Sequence, residues 1–501
     1  MNAKRKFTSE KSDSHKDNTK FTVKNFGPIA QGEVDLRPLT VFAGPSNTGK
    51  SWMATLLYVI GQYLNGNYIG NFRFLRRQSS LLEKPFIFPE NPNTWLKSIQ
   101  DNAAMPLTDG DRDFIENAWN SWSSGLEEDL IRCFGLSEIR HLVREKSKLP
   151  ATISIHYNDA AQPLVLHRGL NISQTGKLSL DVTAAHKWCL PHTKDSQKKK
   201  VFLEELKEFA RNKDTEEEEM LLFHQRLLLP YLYLENESKN FYLPADRGGV
   251  MHAHHVVVSA LIQNASRAAL GRDSSLPALS GVLTDFLQNL IEVADGSHRR
   301  RYMHLSHIRR DRKPSNNRAD RLEDSVLRGK VALERGEVNY PRFSYSPNGW
   351  SRSLSLVNVS SMVSELAPVA LYLRHHVRKG DLLILEEPEA HLHPEIQVAF
   401  VREIASWIRQ GIRVLLTTHS EWVLEEISNL VAAGNAGDSE ALSSEDVGFW
   451  LFEPRKDTSS GTRIREIPWD ADQGGYTSDF DRVAQALHNK WADIMNGSHD
   501  D

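Results

Sequence analysis

Eight residues near the N-terminus, "GPSNTGKS" from Gly44 to Ser51, match the phosphate-binding pattern G-x-x-x-x-G-K-[ST] at every fixed position. Glycines let the backbone curl so that N–H groups point at phosphate oxygens, and a side chain at Gly49 would obstruct that approach. We expect Lys50 to reach the β- and γ-phosphates and the Ser51 hydroxyl to bind Mg²⁺. The predicted nucleotide contacts are Gly44, Asn47, Thr48, Gly49, Lys50 and Ser51.

The segments around this loop support the same prediction. "LTVFAG" precedes it and is typical of a buried strand, and "KSWMATLLYVIGQYL" follows it and is typical of a buried helix. The N-terminal end of that helix would place its positive dipole at the bound anion. A simple glycine turn with an exposed lysine would not require this context.

Negative charge is concentrated in a second stretch, "LLILEEPEAHLHPEIQ". Four apolar residues predict a buried strand, and Glu386 and Glu387 stand at its end. We expect Glu386 to support Mg²⁺ and Glu387 to polarise the water that attacks the γ-phosphate. A capped helix start would explain the acids and the proline, but it would not explain the strand before them.

A third polar cluster follows the next apolar run, "IRVLLTTHS". Thr417, Thr418 and His419 stand at the end of this predicted strand, and we expect His419 to contact the γ-phosphate and sense its loss. A guanine-specific N-K-x-D motif is absent, because "NKWAD" at 489–493 has one residue too many. These motifs predict an enzyme that converts ATP and water to ADP and phosphate.

Together, the P-loop, "EEPEAHLHP" and "TTHS" resemble the ABC-type ATPases of the SMC, RecF and overcoming-lysogenisation-defect (OLD) group of AAA family ATPases. Glutamate at the first acid and the opening "VKNFGPI…LRPLTVFAGPSNTGKS" resemble the OLD-type branch. The resemblance covers roughly 21–70 and 336–455. It implies an α/β fold, an ABC-type P-loop ATPase head in which helices flank a mixed sheet, with a large helical insertion, and ATP and Mg²⁺ as cofactors.

The resemblance also implies self-association, as a head-to-tail dimer or a higher homo-oligomer. In such ATPases each subunit supplies a signature serine to the γ-phosphate bound by its partner, and Ser360 and Ser361 of "NVSSMVSEL" are the candidates here. Met362 stands where a glycine is usual, and Ser46 stands where asparagine is common. Neither difference removes the lysine or Mg²⁺ chemistry.

Composition places bounds on the protein class. The chain has 501 residues, 40% of them hydrophobic, a formal net charge of −4 and two cysteines, so it can build a large core without a disulfide framework. No signal-peptide pattern and no apolar run of about eighteen residues is present, so we expect a cytoplasmic protein without membrane contact.

The pattern of apolar, polar and charged residues along the chain predicts five regions. They are a flexible tail (1–20), the N-terminal part of the ATPase head (21–190), a helical insertion (191–335), the C-terminal part of the head (336–475) and a C-terminal helix (476–501). "FTVKNF" and "GEVDLR" predict two strands joined by a turn, "RSLSLVNV" predicts a later strand, and "IRVLLTT" is predicted as the last one.

Three further signals leave alternatives open. "FYLPADRGG" resembles a recurring PA-x-R segment, so Arg247 is a candidate nucleotide or subunit-interface contact, or a salt-bridged arginine in a turn. The arginine-rich span 299–321 could bind nucleic acid or an acidic partner, or form a solvated loop. Its candidate contacts are Arg299, Arg300, Arg301, Arg309 and Arg310. The stripe of Phe480, Val483, Leu487, Trp491 and Ile494 predicts core packing, with partner docking as the alternative.

Biological context follows from the resemblance alone. We expect no TOPRIM nuclease domain after residue 455, and a stand-alone OLD-type ATPase of this size is similar to the ATPase subunits of anti-phage systems such as PARIS and Septu. That implies a sensor or regulatory subunit controlling a separately encoded nuclease or toxin effector in response to a phage trigger protein. The alternative is a RecF- or SMC-like DNA-binding ATPase in DNA repair, with the arginines on DNA.

Overall fold

A computed structural model describes most of the regions that carry these motifs. The described residues are 19–64, 105–106, 123–157, 165–184, 187–188, 238–252, 279–295, 316–335, 341–454, 461–469 and 488–492. None of the helices within these ranges is long and apolar enough to cross a membrane.

The described segments include sixteen strands and seven α-helices that are named here. The strands are β1 (Thr19–Phe26), β2 (Ile29–Leu36), β3 (Leu39–Ala43), β4 (Met105–Pro106), β5 (Ala151–Tyr157), β6 (Val165–Ile172), β7 (Leu178–Ala184), β8 (Lys187–Trp188), β9 (Asn240–Leu243), β10 (Gly329–Arg335), β11 (Pro341–Pro347), β12 (Leu354–Ser355), β13 (Leu382–Glu386), β14 (Arg413–Thr418), β15 (Val447–Pro454) and β16 (Thr462–Ile467). The helices are α1 (Lys50–Leu64), α2 (Ser123–Phe134), α3 (Gly281–Asp295), α4 (Asn316–Leu322), α5 (Ser361–His375), α6 (Pro394–Arg409) and α7 (Glu421–Asn435). Short helical turns lie at Ile139–Leu142, Glu323–Leu327 and Leu356–Asn358.

Eleven strands form one sheet in the order β7-β6-β5-β1-β2-β16-β15-β3-β14-β13-β9. The neighbours β3, β14, β13 and β9 are parallel, so Leu385 of β13 lies between Leu416 of β14 and Leu243 of β9. Strands β7, β6, β5, β1 and β2 are joined by antiparallel pairings. The predicted mixed α/β class is therefore confirmed.

Helices cover both faces of the parallel strands, which explains why these strands are buried along nearly their whole length. In β13, Ile384 packs into the core beneath α1 and α2. Its neighbours Leu383 and Leu385 pack into the opposite core with α5, α6 and α7. Alternate side chains of a strand point to opposite faces, and here each face is buried.

Two predictions about strands are wrong. The run "IRVLLTT" is β14, but it is not the last strand, because β15 and β16 follow it. Of "RSLSLVNV", only Leu354–Ser355 forms a strand, which continues into a helical turn at Leu356–Asn358. In this turn Leu356 is buried in the core just before α5 begins, whereas Val357 is 50% exposed.

Other predictions have mixed outcomes. The two N-terminal strands and their short turn are confirmed as β1 and β2. Of the C-terminal stripe only Trp491 lies in the described residues, and it is 58% exposed, so core packing is wrong for this residue. Much of the predicted insertion lies outside the described residues, and the five-region division stays a prediction.

The end of β3 generates a prediction about the loop that follows. Gly44 has φ +133, and a Cβ added there would lie 2.6 Å from the carbonyl oxygen of Phe452 in β15. We expect Gly44→Ala to move the loop away from β15 and to lower ATP affinity at least about tenfold, measured by equilibrium titration. Gly437→Ala is the matched control, because Gly437 has φ +98 with open space around it. An equal loss of affinity in both variants would contradict this account.

Candidate active site

The parallel strands bring the predicted site residues to one edge of the sheet. The P-loop follows β3, the 417–419 segment ends β14, Glu386 ends β13, and Pro244 to Arg247 follow β9. Because the carboxyl ends of parallel neighbours meet at the same edge, these segments lie side by side. Residues that are far apart in the sequence therefore share one site.

The P-loop folds around the ammonium group of its own lysine. Lys50 Nζ donates to the carbonyl oxygens of Gly44 at 2.9 Å and Pro45 at 2.8 Å. The Thr48 hydroxyl also donates to the Pro45 carbonyl at 2.8 Å. Asn47 is exposed and has φ +61, so the loop turns sharply at this residue. The side chain predicted to reach phosphates is thus buried across the loop.

Gly49 is required for a reason that the sequence does not indicate. It has φ +96, and an added Cβ would lie 2.7 Å from Cγ of Pro28 in the β1–β2 turn. The β1–β2 hairpin therefore packs against the P-loop at a point where only glycine fits. The hairpin belongs to the wall of the site.

Lys50 is buried among negative charges. Burial lowers the pKa of its ammonium group to about 8, and the carboxylates of Glu387, Glu389 and Glu386 oppose that shift. A bound phosphate would favour the charged ammonium further. The protonation state of Lys50 is therefore sensitive to what occupies the site.

Glu386 fits the role of a magnesium ligand. Its carboxylate is 7% exposed and accepts hydrogen bonds from the Ser51 and Tyr242 hydroxyls and the Ala245 N–H, while burial raises its pKa. Its Oε1 atom is buried without a hydrogen-bond partner. No group of three or more His, Cys, Asp or Glu side chains in the described ranges is arranged to hold a metal. Mg²⁺ suits such a site, because it takes one or two protein oxygens and fills its shell with water and phosphate.

Glu387 adopts a backbone conformation that is uncommon for a side-chain-bearing residue, with φ +40. Its Oε1 lies 3.4 Å from Nε2 of His419. The hydrogen bond from His419 lowers the pKa of the Glu387 carboxyl, so the group is ionised at neutral pH. The structure thus pairs the two residues that the sequence predicts as base and sensor.

Glu389 is a site residue to which the sequence analysis gives no role. Its Oε1 accepts hydrogen bonds from the Thr418 hydroxyl at 2.8 Å and the His419 N–H at 2.6 Å. The carboxylate therefore ties the turn after β13 to the turn after β14 and fixes the backbone of His419. Its place two residues after Glu387 in "EEPE" is the only sequence signal for this contact.

The structure places Arg247 in the interior. Its side chain is 0% exposed and forms an ion pair with Glu365, with 3.3 Å between Nε and Oε2. The interpretation of Arg247 as a subunit-interface contact is wrong, because burial removes it from any surface. The alternative of a salt-bridged arginine describes its surroundings.

The signature candidates have a different location. Ser360 and Ser361 are exposed at the N-terminal end of α5, and the Ser360 carbonyl accepts from the Ser364 N–H at 3.1 Å. Their side chains are available to a partner, and their action on a partner's nucleotide stays a prediction.

The arginine-rich span divides into two parts. Arg299, Arg300, Arg301, Arg309 and Arg310 lie outside the described residues. Of the arginines at its end, Arg318 is buried and donates to Gln410 Oε1 at 2.8 Å, and Arg321 pairs with Glu403 at 3.4 Å. Both connect α4 to the α6 region; inclusion in a ligand-binding surface is wrong for the buried Arg318, and it stays a prediction for Arg321, which is exposed.

Comparison with known proteins adds a family match. Residues 274–425 match the family model described as "AAA domain, putative AbiEii toxin, Type IV TA system". The match includes Ser360, Glu386 and His419, whereas the P-loop lies outside it. Residues 274–425 are therefore similar to an AAA domain. No curated protein sequence matches the chain.

Solved structures of SMC heads are similar to this chain at low identity. A Smc head bound to the C-winged helix domain of ScpA is 11% identical, with 90% of this chain and 98% of that chain covered and a TM-score of 0.42. A Pyrococcus furiosus Smc head with an extended coiled coil, bound to the C-terminal domain of ScpA, is 10% identical over 94% and 98% of the two chains, with a TM-score of 0.39. The SMC head domain from Thermotoga maritima is 10% identical over 90% and 98%, with a TM-score of 0.35.

The lowered pKa of Lys50 predicts a pH dependence of ATP binding. Below about pH 8 the lysine is charged before binding, and above it binding must take up a proton. ATP affinity should therefore fall as pH rises from about 8, by up to about tenfold per pH unit. Calorimetry in two buffers of different ionisation enthalpy measures this proton uptake. Lys50→Arg keeps its charge and should lose the uptake, and equal uptake in both proteins would contradict the assignment.

Proposed function

We propose that this protein binds ATP with Mg²⁺ and hydrolyses it to ADP and phosphate. The observation that carries the proposal is the Glu387–His419 pair beside the buried Lys50 at the carboxyl edge of the sheet. An ionised carboxylate next to a phosphate-binding lysine is suited to act on a water molecule aimed at a terminal phosphate.

In the proposed mechanism, Lys50 and the P-loop amides bind the phosphates. Ser51 and Glu386 would hold Mg²⁺, which neutralises phosphate charge when bound. Glu387 orients the attacking water and accepts its proton. His419 donates to Glu387 and keeps that carboxylate ionised, and Glu389 fixes the backbone from which His419 projects.

The exposed serines at the start of α5 suit a second copy of the chain. We propose that Ser360 and Ser361 of one subunit complete the site of another in a head-to-tail dimer or higher homo-oligomer that forms on ATP. Both side chains are exposed and stand at a helix N-terminus, where the dipole favours an anion.

Removal of the Glu387 carboxylate tests the chemistry. Glu387→Gln should bind ATP with little change and lose about 10²–10³-fold in kcat, because the amide cannot accept the water proton. Lys50→Ala should instead lose ATP binding. Turnover is measured as phosphate release, and binding is measured by titration. Glu395→Gln is the matched control, since this exposed glutamate begins α6 outside the site. Retained turnover in Glu387→Gln would refute its role.

The biological role that we propose is the sensor or regulatory subunit of a bacterial anti-phage system, acting on a separately encoded nuclease or toxin. The description of the matched family names a putative toxin of a type IV toxin–antitoxin system, and this supports a link to bacterial defence. In this role, the protein would bind a phage trigger protein, and ATP binding and hydrolysis would then change its affinity for the effector.

Capture of the ATP-bound protein tests the role. We expect Glu387→Gln, expressed with its native flanking genes, to retain a nuclease- or toxin-like neighbour in fixed stoichiometry. Lys50→Ala is the control, since it should not hold ATP. Analysis of the purified complex by mass spectrometry and for nucleic acid gives the answer. Recovery of DNA without a protein neighbour would contradict the defence role and favour the DNA-repair ATPase.

A further inference from the structure

The buried Arg247 side chain joins three elements. Its Nε donates to the Glu365 carbonyl at 2.9 Å, and its Nη1 donates to the carbonyls of Pro244 at 3.1 Å and Glu386 at 2.7 Å. Glu365 belongs to α5, Pro244 follows β9, and Glu386 ends β13. The guanidinium therefore links the helix that begins at Ser361 to the acid-bearing end of β13.

The hydrogen bond from Arg247 to the Glu386 carbonyl restrains one side of the peptide unit that joins Glu386 to Glu387. The carbonyl of the Glu386–Glu387 peptide accepts from Arg247, and its N–H donates to the Thr417 carbonyl at 2.9 Å and hydroxyl at 3.2 Å. Such bonds from two sides fix the plane of the peptide. That plane immediately precedes Glu387, whose φ of +40 is unfavourable for a residue with a Cβ. Strained backbone of this kind persists where surrounding contacts determine it.

We propose that Arg247 is a positioning residue that aims the Glu387 carboxylate and couples this aim to helix α5. The inference rests on the proposed hydrolysis, in which Glu387 acts on the attacking water. Arg247 acts through the backbone, because it bonds the Glu386 carbonyl and is itself fully buried. Engagement of Ser360 and Ser361 by a second subunit would reach Glu387 through α5, Glu365 and Arg247.

A purely structural role is the competing explanation. Glu365 is buried and its pKa is raised by that burial, so Arg247 could serve only to neutralise this carboxyl. Removal of Arg247 alone would leave the carboxyl unpaired and could unfold the protein. The double variant Arg247→Met with Glu365→Gln avoids this problem, because it removes both charges together.

The test compares turnover, binding and backbone protection. In the double variant we expect kcat to fall about 10²-fold with the Kd for ATP changed less than about threefold, because a misplaced catalytic group loses rate and not binding. Hydrogen exchange at the Glu387 amide, followed by mass spectrometry of peptides from 382–392, should become faster. Arg318→Met is the matched control: it removes another buried arginine, one that bonds Gln410 away from the site.

A double-mutant cycle identifies the residue through which Arg247 acts. In a Glu387→Gln background, the charge-removing double variant should cause no further loss of kcat, since the group that it positions is already gone. Independent, multiplying losses would overturn the proposal, and so would wild-type kcat with unchanged amide exchange. If the wild-type protein does not hydrolyse ATP, the proposed function is refuted. The effect of Arg247 on the Glu387 backbone can still be tested, because amide exchange reports on the Arg247 bond without turnover.

Discussion

A buried lysine close to the buried Glu386 carboxylate is the interaction on which the rest of this structure depends. Lys50 and Glu386 are held at the edge of an apolar sheet, with the partly buried Glu389 close to Lys50, and an unpaired buried charge there typically costs about 3–5 kcal/mol. The P-loop offsets part of this cost, because two of its own carbonyl groups accept hydrogen bonds from the Lys50 ammonium group. The site is thus preorganised for charge, and a nucleotide with its cation would bring further compensation.

The sheet supplies the geometry that this charge cluster needs. Four adjacent parallel strands, β3, β14, β13 and β9, end at one edge, and helices on both faces exclude water from the strands. This arrangement brings Lys50 beside Glu387 and His419, although more than three hundred residues separate the lysine from them in the sequence. Hydrogen bonds between the strand ends, such as that from Glu387 N–H to the Thr417 carbonyl, then fix the loops relative to each other.

The sequence predicts those parts of the site that consist of a short, continuous motif. "GPSNTGKS", the acids after "LLIL" and the histidine after "LLTT" each combine a buried strand with polar residues at its end, and the structure brings all three together. The sequence does not predict that Glu389 accepts a hydrogen bond from the His419 N–H, or that Arg247 donates one to the Glu386 carbonyl. Both are contacts between segments that are distant in the sequence. Strands β15 and β16 are also missed. They pair with each other as an antiparallel hairpin, and β3 and β2, their other neighbours, lie hundreds of positions away in the sequence.

The start of α5 shows how packing can keep two serines exposed next to a residue that differs from the usual signature pattern. Met362 stands where a signature glycine is usual, and its side chain packs partly buried against the core beneath α5. A helix exposes only one side at its first turn, so a methionine that packs inward leaves Ser360 and Ser361 facing solvent. One turn further along, Glu365 is buried against Arg247. The inward side of this turn thus anchors the helix to the acid-bearing strand, and the outward side presents hydroxyl groups. Met362 therefore contributes to the packing of α5 against the core and leaves Ser360 and Ser361 exposed.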